Sequence, residues 1–385
     1  MKLLPVKIYR LKNALIFPAI DQAVYFKSSI LGVQSEHYKN DPNEFGLMSF
    51  SNCHTSNSLR KAYLKRNAPK KMYGHYLYLG HLNHHFGHFM EECLGRLWAC
   101  EKYQSEVDSF IFIVTNENIV LKPFMLEIFL LFNIDISKIK LVSELVEVEN
   151  LIVPELGSWF GGEKKWFRRV IKKYIHLENY KKVLPKKIIV RRSSKFLGRV
   201  AGFNYFSNIL VSKGFTEIFP EKYSLEEQIA FVISAEIIVW EQGSACHLLK
   251  ILPKLKGTSI LIRRDLNSPA IENLIKNKFD RVSIYRDVEG IFLPNKWYAN
   301  KNMGNAIMAT FKHPKKILTF FKKNNLIDEF KFEEIIFKKI EKKDLLYFYI
   351  NYFLVTFLIK FIKPILPKFV WLKLKVIKDY FFGQR

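Results

Sequence analysis

The run FIFIVT at residues 110–115 most constrains what this chain can fold into. Five successive apolar residues, aromatic or β-branched, leave no polar side to turn toward water, so a strand made of them must be covered on both faces. Burial on both faces belongs to parallel sheets lined by helices. The neighbouring sequence agrees: HYLYLG ahead of it has strand content, an apolar helix is predicted over residues 118–132, and shorter strands over 140–142 and 150–153. After Pro185 the pattern restarts. KKIIVRR at 186–192 reads as a strand ending in paired arginines, followed by a helix over 205–213 and a strand over 216–219. Ser224 and Glu227 then form a capping box that opens a helix ending near Ala235, and strands are predicted over 236–240 and 259–264. The expected fold class is α/β, with strands and helices alternating along the chain.

At 385 residues the chain exceeds one ordinary core, and the restart at Pro185 divides it. The expected domains are residues 1–182, residues 183–300 and a helical tail over 301–385. A formal charge of +25 implies attraction to polyanions: nucleic acid, anionic lipid, or phosphorylated and carboxylated substrates. Cys53, Cys93, Cys100 and Cys246 form no CxxC pair and follow no zinc spacing, which argues against a disulfide framework and fits a reducing cytoplasm. Pro5, Lys7, Arg10 and Lys12 break the apolar residues at the start, so no export signal is expected.

Chemistry concentrates first at residues 83–98, NHHFGHFMEECLGRLW. Read as one helix, this stretch gathers Phe86, Phe89, Met90, Cys93, Leu94, Leu97 and Trp98 into a core stripe and sets His85, His88, Glu92 and Arg96 on one wet face. A base, a carboxylate and a cation then share that face. A zinc reading of His81, His84, His85 and His88 is weaker, because Gly80 interrupts the helix that would align them. The second concentration is the strand, tight turn and short helix EIIVWEQGSACHLLKI, residues 236–251. Such a unit aims free backbone N–H groups from the edge of a sheet at an anion. Arg191, Arg192 and Arg199 follow the first strand of the same half and could reach that edge. In the tail, residues 345–359 are nearly uncharged but short for a bilayer span, while Lys360, Lys363, Lys368, Lys373, Lys375 and Lys378 alternate with aromatic and aliphatic residues as in an interfacial helix.

With these residues in order, the chain resembles the glycosyltransferase family 61 group of capsule and polysaccharide enzymes. The resemblance rests on a GHF-x-x-E-x-L-x-RL block carried by Gly87, His88, Phe89, Glu92, Leu94, Arg96 and Leu97. It rests further on the strand ending in Arg191 and Arg192 with Arg199 after it, and on YSLEEQIAFVISAEIIVWEQGSA at residues 223–245. Gln242 stands where the family often has His, and Gly95 where the first block usually has Pro.

The resemblance implies two Rossmann-like domains facing a cleft, the GT-B type, with acceptor groups on the first half and the nucleotide-sugar on the second. It further implies inverting transfer of a sugar from a nucleotide-sugar to a hydroxyl of a growing glycan or lipid-linked acceptor in surface polysaccharide biosynthesis. Such a transfer needs a base for the acceptor proton and a holder for the departing diphosphate. His88 is the expected base with Glu92 orienting its ring; alternatively Glu92 is the base and His88 binds the acceptor. His85 and Arg96 are expected on the acceptor, and Arg191, Arg192, Arg199, Gly243, Ser244 and His247 on the donor. No DxD pair lies in a plausible loop, so neither a metal nor another cofactor is expected. The expected partners are the donor, the glycan acceptor and an anionic membrane surface met by the tail at the inner face of the cell membrane, and not nucleic acid. The competing reading is a non-enzymatic basic protein that grips anionic lipid or nucleic acid, although no RNP, KH or helix-turn-helix pattern supports the latter.

Overall fold

In the computed structural model, which describes residues 6–17, 19–22, 27–30, 33–34, 67–114, 120–159, 162–175, 184–193, 199–264, 269–291 and 308–357, the continuous apolar runs become strands of two separate sheets. The chain divides into two compact units, Met1–Asn179 with His247–Pro253, and Tyr180–Cys246 with Lys254–Arg385.

The first unit is built on a six-stranded sheet of β1 (Ile8–Ile16), β2 (Val33–Gln34), β3 (Lys70–His81), β4 (Ser109–Ile113), β5 (Ile139–Val142) and β6 (Val146–Pro154), in the order β2-β1-β6-β3-β4-β5. Strands β6, β3, β4 and β5 are parallel, whereas β1 runs antiparallel to β6 and to β2. Residues 8–16 form one continuous strand, β1. Phe110 through Val114 are all buried, as a strand covered on both faces requires. Ile111 and Ile113 join Tyr76, Tyr78 and Val153 on one side. On the other, Phe112 packs on Phe129 of α3 (Pro123–Leu131) with ring centroids 5.6 Å apart. Between β3 and β4 lie α1 (Phe86–Glu92) and α2 (Leu94–Tyr103).

The second unit holds a five-stranded, wholly parallel sheet of β7 (Lys187–Val190), β8 (Thr216–Ile218), β9 (Ile237–Glu241), β10 (Leu255–Ile262) and β11 (Phe279–Tyr285), ordered β8-β7-β9-β10-β11. Ile189, Val239 and Ile260 pack under Phe203, Phe206 and Leu210 of α5 (Phe203–Ser212). The predicted capping box opens α6 (Leu225–Ser234), with the Ser224 hydroxyl accepting from the Glu227 N–H and the Glu227 carboxylate from the Ser224 N–H. Where a short helix was predicted after β9, a 3-10 helix runs Ser244–Ile251.

Elements from the stretch after residue 300 pack within this unit. β12 (Val288–Ile291) pairs antiparallel with β13 (Met308–Phe311), and α8 (Pro314–Lys323) and α9 (Glu334–Phe357) follow. Phe311, Ile317, Phe321 and Phe337 join the core around Phe206. The lysine-rich composition that suggested a tail conceals an apolar stripe at helical spacing. No helix among the described residues is long and apolar enough to cross a membrane, and residues 358–385, which carry the expected interfacial helix, lie outside them.

Among their parallel strands, both sheets reverse their direction of growth once, between β3 and β6 in the first unit and between β7 and β9 in the second. Open α/β sheets bind ligands outside the carboxyl ends of the two strands flanking such a reversal.

Candidate functional site

In the first unit, β3 ends at His81 and the chain turns into α1 through Asn83, whose side-chain oxygen accepts from the His85 N–H at 2.9 Å. His85 is the residue that precedes the first turn of α1, with extended backbone. The single helix expected over residues 83–98 is broken at Cys93. Just after the break, a Cβ on Gly95 would lie 2.4 Å from the carbonyl oxygen of Ser158, and Gly95 itself accepts from the Gly157 N–H at 2.8 Å. Only a glycine lets the 157–158 loop approach this closely.

Arg96 does not lie on the wet face where the reading as one helix placed it. Arg96 is buried, donates from Nε to the Pro154 carbonyl at 3.2 Å and lies over the Tyr78 ring, so it closes the carboxyl end of β6 instead of facing an acceptor. Burial pushes its pKa below the usual guanidinium range. Glu92 is the last residue of α1, and its side chain lies outside the described part. Among the described residues, His81, His84, His85 and His88 included, no three His, Cys, Asp or Glu side chains form a set able to hold a metal ion.

What does converge is Glu91, one position before the expected carboxylate. It is buried, and Lys250 donates to its Oε2 at 2.6 Å while His247 Nδ1 lies 2.8 Å from its Oε1. The imidazole contact is short but not aligned as a straight hydrogen bond. Lys250 also donates to the Ser158 hydroxyl at 3.0 Å. Burial pulls the Lys250 pKa down, and the Glu91 charge opposes that pull. Gly87 provides the space for the ring, since a Cβ there would lie 3.0 Å from His247 Cδ2 and 3.4 Å from His85 Cε1. The His85 and His88 rings meet edge to face at 5.2 Å. Three imidazoles therefore crowd the first turn of α1, one of them backed by a carboxylate. His247, expected on the donor, belongs to this unit. Sequence reasoning missed Glu91 and Lys250; the available signal was the lone charge in HLLKIL, since a lysine inside an apolar run requires a buried partner.

In the second unit the reversal lies between β7, which leads into Arg191 and Arg192, and β9, which leads into Gln242, Gly243 and Ser244. Arg192 crosses it, donating to the Ser244 hydroxyl at 3.0 Å. Burial lowers the Arg192 pKa, with the Glu241 and Glu221 charges opposing. Gln242 accepts from the Arg264 N–H at 2.8 Å, tying the β9 turn to the end of β10. Burial drives the Cys246 thiol up to about 11 although the Gly243 backbone and the Arg192 and Arg264 charges pull it down. Two guanidinium charges thus reach this edge, and Arg264 is one that the sequence did not single out.

The other two expected donor arginines are occupied elsewhere. Arg191 donates to Glu217, donates to Asn204 at 2.5 Å and has Nε 3.8 Å from Glu241. Arg199 donates to the same Asn204 oxygen at 3.3 Å and lies 3.7 Å from Asp344. Burial raises the Glu217 pKa, but the Ser207 hydroxyl and Arg191 prevail and hold it below the usual carboxylate range. Both arginines are buried within carboxylates, and this network supports the edge from behind.

The family model described as Glycosyltransferase 61 matches residues 86–260, from the first residue of α1 into β10, and so includes both reversal-point turns. No curated protein matches the chain.

Proposed function

We propose that the chain, whose residues 86–260 match the Glycosyltransferase 61 family model, is a glycosyltransferase of that family, an inverting enzyme of the GT-B type that builds surface polysaccharide. The observation carrying this reading is the Arg192 to Ser244 bridge at the reversal of the second sheet, where topology and charge together favour a diphosphate. In the transfer, an acceptor hydroxyl attacks the anomeric carbon, the bond from that carbon to the diphosphate oxygen breaks, and the configuration inverts. The nucleoside diphosphate leaves with its added charge held by Arg192, Arg264 and the N–H groups after Gly243. These cations take the place that a divalent ion would occupy, so transfer should continue in EDTA. The acceptor proton passes to an imidazole of the first unit, with His88 as the base and Glu92 beside it on α1. A second base is supported by a specific contact: His247, whose Nδ1 faces the Glu91 carboxylate, can take the proton on Nε2 while Glu91 stabilises the imidazolium. The acceptor is a growing or lipid-linked glycan at the inner face of the cell membrane, in keeping with the charge of +25.

The experiment is a thermal-shift screen against UDP-, GDP-, dTDP- and CMP-sugars, followed by turnover of the donor that binds. His88→Ala should lower kcat by about 10²–10⁴ with donor affinity unchanged. If His247→Ala does so and His88→Ala does not, the base is His247. Failure of every donor to bind or turn over rejects the transfer reading.

A further inference from the structure

Helix α9 has two unlike faces. Its inner face carries Phe337, Asp344 and Phe348, all buried, and Asp344 fastens it by accepting from the Gly202 N–H at 2.9 Å. The opposite face follows residues 335, 339, 342, 346 and 350, which a turn of about 100° per residue brings into line. Ile335 is 86% exposed, Leu346 61% and Ile350 49%, with Tyr349 beside them at 41%. Lys339, Lys342 and Lys343 are exposed between the first of these and the rest. Along the outer face, cationic character therefore gives way to apolar character toward the carboxyl end of the helix.

We propose that this outer face of α9 is a docking surface for an anionic lipid bilayer, with Lys339, Lys342 and Lys343 at the headgroups and Leu346, Tyr349 and Ile350 entering the acyl boundary. The inference deepens the membrane location given above and rests on it, but is independent of the sugar-transfer chemistry. Charge complementarity selects lipid over a second copy of the chain, because two such faces packed together would set lysines against lysines. The sequence beyond the helix continues the pattern: residues 358–385 hold six lysines and one aspartate among Phe361, Phe369, Trp371 and Tyr380. Because Asp344 also lies 3.7 Å from Arg199, the docked helix is fastened to the arginine network behind the sheet edge, and bilayer binding would orient the second unit relative to the lipid.

The test is flotation of the full-length protein with phosphatidylcholine vesicles, with and without phosphatidylglycerol, checked by circular dichroism for folding. Wild type should float only with the anionic vesicles. Lys339→Gln/Lys342→Gln/Lys343→Gln should weaken partitioning on the order of a hundredfold, and Leu346→Gln/Ile350→Gln at least about tenfold. Turnover with a water-soluble acceptor should be unchanged in both variants. The proposal is overturned if folded variants float like wild type, if wild type does not float, or if the Leu346/Ile350 variant changes only the sedimentation coefficient, which would make the face a self-association surface. Loss of turnover in wild type with every donor would reject the transfer reading and leave the flotation result standing.

Discussion

The two sheets place opposite chemistry at equivalent positions. At the reversal of the first sheet a buried carboxylate, Glu91, lies between an ammonium and an imidazole, so its charge is neutralised within the protein. At the reversal of the second, Arg192 donates to the Ser244 hydroxyl, while Glu217, Glu241 and Asp344 lie against Arg191 and Arg199. Strand order decides where a ligand can lie, and a few side chains decide which ligand. A site closed on itself can position a proton acceptor, whereas a site with surplus positive charge can hold an anion.

The largest effect expected from breaking this contrast is on the first unit. Glu91→Ala takes from the buried Lys250 ammonium the carboxylate it donates to, and should cost about 3–5 kcal/mol in urea unfolding, as removal of one member of a buried ion pair does. Glu91→Leu with Lys250→Met removes both charges and should recover most of that stability, yet leave transfer impaired because His247 has lost its carboxylate. If the double variant turns over normally, Glu91 is structural only. Next comes Arg192→Ala. It should weaken donor binding by about 2–3 kcal/mol, some thirty- to a hundredfold by calorimetry, with little change in stability. Arg191→Ala should do the reverse, because it strands Glu217 and Glu241. Equal effects of the two on donor binding would erase the distinction drawn between them.

Acid separates the units in another way. Burial raises the Glu272 pKa in the second unit, but Lys276, Arg286 and Arg263 more than reverse it and hold it at about 2, against 4.5 for the free group. A carboxylate with a depressed pKa adds stability that is fully present above its unfolded value and lost as pH falls through the folded one. Glu272→Gln should therefore lower stability on the order of 1–3 kcal/mol at neutral pH, and the difference from wild type should shrink between pH 4.5 and 2. Urea titrations at neutral pH and near pH 3 measure it; a difference independent of pH assigns the cost to packing.

Much of the fold was legible because burial on both faces is written locally. FIFIVT, KKIIVRR and EIIVW are strands whose residues declare their surroundings without reference to the rest of the chain. FDRVSIY was not read as a strand, since β11 lies at the sheet edge and carries polar residues where a central strand could not. The site was legible only as far as its partners are near in sequence. Glu91 and Lys250 are 159 positions apart, and nothing local tells Glu91 from Glu92 as the inward carboxylate. The close approach at Gly95 is to a loop more than sixty residues away. Likewise, successive residues leaving a strand point to opposite sides, so Arg191 and Arg192 meet different surroundings although the sequence presents them as a pair.

The smallest expected effect serves as the control for these contrasts. Ser224 caps α6, accepting from the Glu227 N–H at 3.2 Å while its own N–H is taken by the Glu227 carboxylate at 2.8 Å. Ser224→Ala removes one of those bonds and should cost about 1 kcal/mol by urea unfolding. Because α6 leads directly into β9, a loosened cap could in principle disturb the Gly243 turn. The Trp240 indole donates to Ser259 at 3.1 Å, however, and the ladders to β7 and β10 hold β9 on both sides, so the disturbance should stop at the strand. Donor affinity should then equal that of wild type. A Ser224→Ala protein that binds donor as poorly as Arg192→Ala would mean that donor affinity follows the general stability of the second unit, and the Arg192 to Ser244 bridge would lose its special standing.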